Sequence, residues 1–384
     1  MAVNLRAAIH LTGLAVPYLI KSKGNIINIS SVAGKMPPSY PAFMFYSVSK
    51  AGMDHFTVCA AAELGKHEVR VNTISPGPVV TDFLDNNAMN FNWDDAKHMT
   101  LLNRVSQAGE VADLVVFLAS DKAVAITGSP HVSDVAMSFA GKVVTVTGAS
   151  SGIGAATAIA FSKEGARVVL IGRNAEKLSS VANKCNKPLV IRADISKDEQ
   201  AAKAVKQTID EFGKLDVLVN NAGFATLGSL LNGDIMKAYD DVMGVNLRAA
   251  IHLSKLAAPH LVKTQGNIVN ISSVGGQFPS PLPALMTYSV SKAALNHFSE
   301  CAAVELAPHG VRVNTVSPGP VKTDIIENSS FPGTWEDFQK GTSLNRVSDP
   351  QEIADLVLFL ASDKAKGVTG SNFLSDNGTL IKRR

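Results

Sequence analysis

Cysteine is scarce in this sequence: Cys59, Cys185 and Cys301 are the only three in 384 residues, and they form neither a CxxC pair nor a metal-ligand spacing. An odd, widely scattered set is a poor disulfide framework, which points to a reducing compartment. No unbroken apolar run approaches the roughly 20 residues needed to span a bilayer. The N-terminus, MAVNLRAAIHL, places Arg6 and His10 where a signal peptide needs an apolar core. A charge imbalance is missing as well. Lys and Arg total 36 against 33 Asp and Glu, a formal +3, and they are scattered rather than striped. Nothing therefore marks a surface for nucleic acid or anionic membrane. The expectation is a soluble, cytoplasmic protein without a membrane span, long enough for one or two domains.

What is present is a repeat. Residues 4–50 align without gaps on residues 246–292, with 31 of 47 positions identical. The same offset of 242 carries VRVNTISPGPVVTD onto VRVNTVSPGPVKTD, and then LNRVS, FLASDKA and Ser133-Asp134 onto their later counterparts. So long a period excludes a solenoid and indicates a duplicated domain or most of one. The copies are unequal. Met1 falls on Met243, the first copy stops after Asp134, and the second opens near Met137 in MSFAGK. The boundaries expected are 1–136 for a truncated copy and 137–384 for a complete one.

In the second copy, short apolar runs alternate with longer segments of helical spacing. Strands are expected at 142–148, 166–172, 188–194, 215–221, 267–273, 311–317 and 371–376. Most are rich in Val, Ile and Leu without clean alternation, as strands buried on both faces are. Intervening segments such as AATAIAFSKEG and EIADLVLFLAS carry apolar residues at helical periodicity. The fold class is α/β, a doubly wound, parallel, seven-stranded sheet over 137–384, with a partial sheet of the same kind over 1–134.

Such sheets bind ligands at the carboxyl ends of their strands. The first of these ends is TGASSGIG, where Gly148, Gly152 and Gly154 follow a strand and open a helix. Glycine permits the tight turn and close backbone approach, and free N–H groups at a helix N-terminus attract phosphate, so a dinucleotide pyrophosphate fits there. After the second strand, where an acid would hold a ribose 2′-hydroxyl, stand Gly172 and Arg173. A guanidinium pairs with a 2′-phosphate, which favours NADP(H) and leaves NAD(H) possible. Farther on, Tyr288 and Lys292 lie four apart on one helix face. A nearby ammonium is expected to lower the phenol pKa and suit it to general acid/base work.

Together, TGASSGIG, Asn220-Asn221-Ala222-Gly223, Asn246, Ser273, Tyr288 to Lys292 and Pro318-Gly319 resemble the motif series of the short-chain dehydrogenase/reductase family, over the whole second copy. The resemblance implies a Rossmann fold and an oxidoreductase interconverting a carbonyl and a secondary alcohol. It implies that Ser273 binds the substrate oxygen, Tyr288 transfers the proton, Lys292 holds the nicotinamide ribose and Asn246 organises a water. It further implies that Gly148, Ser151, Gly152, Ile153 and Gly154 wrap the phosphates, and that Asp194 and Ile195 face the adenine. Asn221, Ala222, Gly223, Pro318 and Gly319 should line the cofactor, with Val321 and Thr323 at the carboxamide. Ser272 and Ser273 compete for the catalytic slot; Ser273, directly before Val274 as in the family pattern, is chosen. Ser272 should then point into the sheet, because neighbours on a strand face opposite sides.

The stretch Gln277 to Met286, with Pro279, Pro281 and Pro283, should form a stiff loop beside the site. The region 325–342, with Ile325, Ile326, Phe331, Trp335 and Phe338, resembles a substrate cover. A largely apolar ketone, alcohol or 3-oxoacyl-type substrate is expected. The alternative from another class is a non-catalytic NADP(H)-binding scaffold or sensor. The first copy keeps Asn4, Ser31, Tyr46, Lys50, Pro76-Gly77 and Thr81 but has no glycine loop and no NNAG, so Tyr46 is expected to be idle. Either it packs on the second copy through helices near Asn4 and His55, as an intramolecular pseudo-dimer in place of a homo-oligomer, or the chain reflects a gene fusion or a gene model begun at an internal Met. The coincidence of Met1 with Met243 favours the latter.

Overall fold

Two compact units divide the chain: Met1–Val135 with Glu336–Val347 and Ser375–Arg384, and Ala136–Trp335 with Ser348–Leu374. The computed structural model describes residues 1–35, 43–83, 93–98, 100–128, 138–231, 234–280, 282–324 and 334–382. The duplicated segment thus supplies most of the first unit, which also takes in two stretches from late in the sequence.

The first unit begins with α1 (Ala7–Ser22), β1 (Asn25–Ile29), α2 (Met44–Leu64), β2 (Arg70–Ile74), β3 (Val79–Val80), α3 (Trp93–Lys97), β4 (Ser106–Gln107) and α4 (Ala108–Ala119). Strands β1 and β2 pair in parallel from Asn25 opposite Arg70 to Ile29 opposite Ile74. Ala60, Ala61 and Leu64 of α2 bury themselves against Val69 and Val71. Ile381, from the far end of the chain, joins this cluster, and the Asn377 N–H donates to the Ala125 carbonyl at 2.9 Å.

Among the described residues β1 has a strand neighbour on one side only, and α1 has no buried residue. Leu11 is 65% exposed, whereas its counterpart Leu253 in the second copy is 0% exposed. Burying such a leucine is worth roughly 1.5–3 kcal/mol. The helical stretch Ala2–Ser22 is long and apolar enough, by length and composition, to cross a membrane. It passes on its average rather than on an unbroken run. Arg6, His10 and Lys21 interrupt the apolar sequence without spoiling its average. Ala7, Ala8, Leu11, Ala15 and Leu19 match the buried Ala249, Ala250, Leu253, Ala257 and Leu261, so this is the composition of a core helix.

The second unit runs β5 (Val143–Thr147), α5 (Gly152–Lys163), β6 (Arg167–Gly172), α6 (Ala175–Ala182), β7 (Leu189–Arg192), α7 (Asp198–Phe212), β8 (Val217–Asn220), α8 (Ile235–Met243), α9 (Ala249–Thr264), β9 (Asn267–Ile271), α10 (Met286–Leu306) and β10 (Arg312–Pro318). Then follow α11 (Trp335–Lys340), whose last five residues belong to the first unit, α12 (Pro350–Ala361) and β11 (Asn372–Ser375). The sheet has the order β11-β10-β9-β8-β5-β6-β7, and its strands coincide within two residues with the apolar runs of the sequence. Helix α12 starts sharply because Asp349 and Glu352 form a capping box around Pro350.

Every residue of β5, β8, β9 and β10 is buried, as a sheet covered on both faces requires. Val143, Val169, Ile171, Ile268 and Val313 pack with Leu253 and Leu261 of α9 and Ala201 and Ala204 of α7. Helix α5 packs on α12. The chain winds outward in opposite directions from β5, which has β6 on one side and β8 on the other. That switch point opens a crevice at the carboxyl ends of β5 and β8.

Candidate active site

The glycine loop sits at that crevice. Gly148 has φ +65° and Gly152 φ +54°, a left-handed backbone that other residues adopt only with strain. The loop is also tight. A Cβ on Gly154 would lie 2.3 Å from the Gly148 carbonyl oxygen and 2.4 Å from Asn221 Nδ2, and one on Gly152 would lie 2.9 Å from Thr323 Cγ2. Asn221 Nδ2 donates to the Thr147 carbonyl at 2.9 Å, while Thr147 Oγ1 accepts from the N–H groups of Asn221 and Ala222 at 3.0 and 3.1 Å. These bonds clamp the Asn221-Ala222-Gly223 turn to the loop. Ser151 is the N-cap of α5, but its side chain makes no capping bond, and Ile153 lies in the first turn. The helix thus presents a dipole end without a side-chain acceptor.

Tyr288 and Lys292 stand on α10. Lys292 is 4% exposed; its Nζ donates to the Ile271 carbonyl at 2.8 Å and lies 5.8 Å from the centre of the Tyr288 ring. Burial lowers its pKa to about 8. Burial pushes the Tyr288 phenol up, and the hydrogen bond with the Ser273 side chain pulls it partly back. The expected lowering of the phenol by the ammonium is therefore not what this structure shows. Desolvation dominates, and it weakens the charge on Lys292 itself.

The two serines separate cleanly. Ser272 Oγ is buried and donates to the Lys292 carbonyl at 3.1 Å, whereas Ser273 reaches Tyr288 and also accepts from Gly275 N–H at 3.0 Å. Asn246 lies in the π-helical turn Gly244–Arg248 and is 1% exposed. Its Oδ1 accepts from Phe224 N–H at 3.0 Å, and its Nδ2 donates to the Phe224 carbonyl at 3.0 Å and to Ser291 Oγ at 3.1 Å. The side chain staples the chain after Gly223 to α10, using both amide hydrogens and one acceptor site of its oxygen. A Cβ on Gly223 would lie 3.1 Å from Asn246 Oδ1 and 3.3 Å from Lys292 Nζ, so the cofactor-loop and acid/base residues form one cluster.

Pro318 ends β10, Gly319 follows it, and Val321 bridges Ser348. At the end of β6, Arg173 lines an open cleft of about 320 Å³ with Arg192, Ala193, Asp194 and Gln200. Burial alone would raise the Asp194 carboxyl, but hydrogen bonds from Ser196 and the charges of Arg173 and Lys197 hold it below its ordinary value. Ile195 does not face this cleft with its side chain, which is 8% exposed and packs in the main core. Sequence reasoning missed Arg192 and Gln200. Of the expected substrate cover, Ile325, Ile326 and Phe331 lie outside the described residues, as does Pro281 of the proline loop. Trp335 falls in the second unit and Phe338 in the first.

The first copy repeats the acid/base geometry locally. Lys50 Nζ donates to the Ile29 carbonyl at 2.8 Å and lies 5.6 Å from the Tyr46 ring centre. Asn4 Nδ2 donates to Ser49 Oγ at 3.1 Å, and Ser31 accepts from Ala33 N–H at 3.2 Å.

A family profile described as Enoyl-(Acyl carrier protein) reductase matches residues 1–138 and 148–379. The chain is 36% identical over 248 residues to meso-2,3-butanediol dehydrogenase of Serratia marcescens, covering 63% of this chain and 96% of that protein. It is 34% identical over 252 residues to a 3-oxoacyl-(acyl-carrier-protein) reductase of Thermotoga maritima, covering 64% of this chain and 100% of that one. A crystal structure of a Caenorhabditis elegans short-chain dehydrogenase/reductase of unknown function with cofactor matches at 33% identity and TM-score 0.59, over 63% of this chain and 96% of that one. With the sheet order, the glycine loop and the Ser273, Tyr288 and Lys292 cluster already in place, these matches settle the family: the chain belongs to the short-chain dehydrogenase/reductases.

Proposed function

We propose that the second unit is an NADP(H)-dependent oxidoreductase that interconverts a ketone and a secondary alcohol. The observation that carries this reading is that Lys292 Nζ lies beside the Gly223 turn, where an added Cβ would be 3.3 Å from it, while Tyr288 on the same helix reaches the Ser273 hydroxyl. A glycine cradle that any Cβ would fill, beside an uncapped helix N-terminus, fits a dinucleotide pyrophosphate. When bound, a nicotinamide cofactor supplies or accepts the hydride.

Each residue has a separate task. The Ser273 hydroxyl donates to the substrate oxygen and stabilises the negative charge that grows there in reduction. The Tyr288 hydroxyl, held neutral by burial, protonates that oxygen and takes the proton back in oxidation. Lys292, fixed through Ile271, places its ammonium where it lowers the energy of the phenolate and meets the cofactor ribose. Asn246 positions these groups by tying the Gly223 turn to α10, and a water relay would run past it.

The substrate is expected to be largely apolar, 3-oxoacyl compounds included, as in the name of the Thermotoga maritima relative. Gly228 N–H donates to the Ala284 carbonyl at 2.9 Å and joins the loops that carry Leu230, Leu231, Phe278 and Met286, all exposed. Changing Tyr288 to Phe should reduce NADPH oxidation with a ketone panel by at least about a hundredfold while cofactor binding persists. Unaltered turnover in that variant would overturn the assignment of proton transfer to Tyr288, whereas cofactor binding without turnover of any ketone by the wild type would favour the nucleotide-binding scaffold.

A further inference from the structure

The cleft at the end of β6 holds a second guanidinium that the sequence does not place there. Arg192 is the last residue of β7 and pairs in register with Gly172, the last residue of β6. Two parallel strands ending level thus set Arg173 and Arg192 side by side. Arg192 Nε donates to the Arg173 carbonyl at 3.2 Å, which fixes the root of its fork beside Arg173. Among the described residues neither guanidinium enters a salt bridge, in contrast to Arg248, which grips Asp198 with both amines. The one carboxylate lining the cleft is occupied: Asp194 Oδ1 accepts from Ser196 N–H and Oγ at 3.1 and 2.8 Å. Gln200 is turned inward as well, its Oε1 accepting from Asp194 N–H at 2.8 Å.

Two exposed guanidiniums one strand apart, neither held in a salt bridge and only Arg173 acting electrostatically on Asp194, are poorly explained by packing. They repel each other unless an anion lies between them, and a planar fork is suited to a phosphate. We propose that Arg192 and Arg173 together clamp the 2′-phosphate of the adenosine ribose, Arg192 being the second specificity determinant for NADP(H). This rests on the NADP(H) reading of the site and goes beyond it by naming the partner residue. Asp194 and Gln200 line the same cleft, Asp194 tied to Ser196 through Oδ1 and Gln200 to the Asp194 N–H.

The test uses the full chain and needs no substrate. Binding of adenosine 2′,5′-bisphosphate and of adenosine 5′-monophosphate is measured by calorimetry for the wild type, Arg192→Ala, Arg192→Lys and Arg173→Ala. Arg192→Ala should weaken the bisphosphate at least about tenfold and the monophosphate by less than about twofold, with Arg192→Lys recovering part of the loss. If Arg173→Ala is selective for the bisphosphate and Arg192→Ala is not, the assignment of Arg192 is wrong while the NADP(H) reading stands. If the wild type itself binds both probes equally, both readings fall. Equal weakening of both probes by Arg192→Ala would show a structural role and likewise overturn the clamp.

Discussion

Replacing Lys292 with Met removes a buried amine whose pKa the fold lowers from 10.5 to about 8. Between those values the unfolded chain binds the proton and the folded chain does not, so stability rises with pH across the window. Below pH 8 both states are protonated, and the full penalty of burying the charge is present. With about 1.36 kcal/mol per pKa unit, the wild type should gain about 2.5 kcal/mol on going from pH 7 to pH 10. The variant lacks this term. It also loses the bond to the Ile271 carbonyl, but that loss is common to all pH values and cancels from the slope. Tyr288, raised by burial, works in the opposite direction only above its unfolded value near 10, so the upper limit of the scan avoids it. Urea unfolding followed by circular dichroism of the cofactor-free chain, wild type minus variant, measures the difference. Parallel curves from pH 7 to 10 would refute the claim that Lys292 is buried at the expense of its charge.

Other outcomes follow from the same geometry. Gly154→Ala forces a Cβ to within 2.3 Å of a backbone oxygen and should destabilise the second unit by about 3 kcal/mol, with loss of cofactor binding in a thermal-shift titration. Ile381→Ala should loosen the first unit by about 1–2 kcal/mol. Amide exchange should then accelerate across Ala60–Val71 and stay unchanged in Val143–Thr147, and equal acceleration in both would refute the placement of the tail. Tyr46→Phe should leave turnover with any active substrate within about twofold, since the glycine loop packs on Asn221 and Ala222 of the unit that carries Tyr288.

The parts of the site that were legible in the sequence are those carried by contiguous residues. TGASSGIG contains both its strand end and its helix start, and the Tyr288 to Lys292 spacing follows from helical geometry alone. The choice between Ser272 and Ser273 also rested on local alternation, and their hydroxyls do point to different partners. What escaped depends on contacts between distant segments. Arg192 adjoins Arg173 only because β6 and β7 end level, a register that apolar runs do not specify to the residue. The rise of the Tyr288 pKa was missed because the sequence supplies the neighbouring charge but not the desolvation, and here desolvation is larger. The place of Ile381 in the first unit has no local signal at all.

The two copies divide what a strand, turn and helix can build alone from what they cannot. The Lys50 amine sits on the Ile29 carbonyl and near Tyr46 at almost the distances found for Lys292, Ile271 and Tyr288. Burial lowers the amine pKa in both copies, so even part of the electrostatic tuning is a local property. The difference lies in what approaches from the other side. A Cβ on Gly223 would lie 3.3 Å from Lys292 Nζ, and that turn is clamped to the glycine loop through Asn221 and Thr147. Both belong to the second unit. A tyrosine and lysine at helical spacing thus define a proton-transfer geometry, and the β5 and β8 loops decide whether a cofactor can be brought to it.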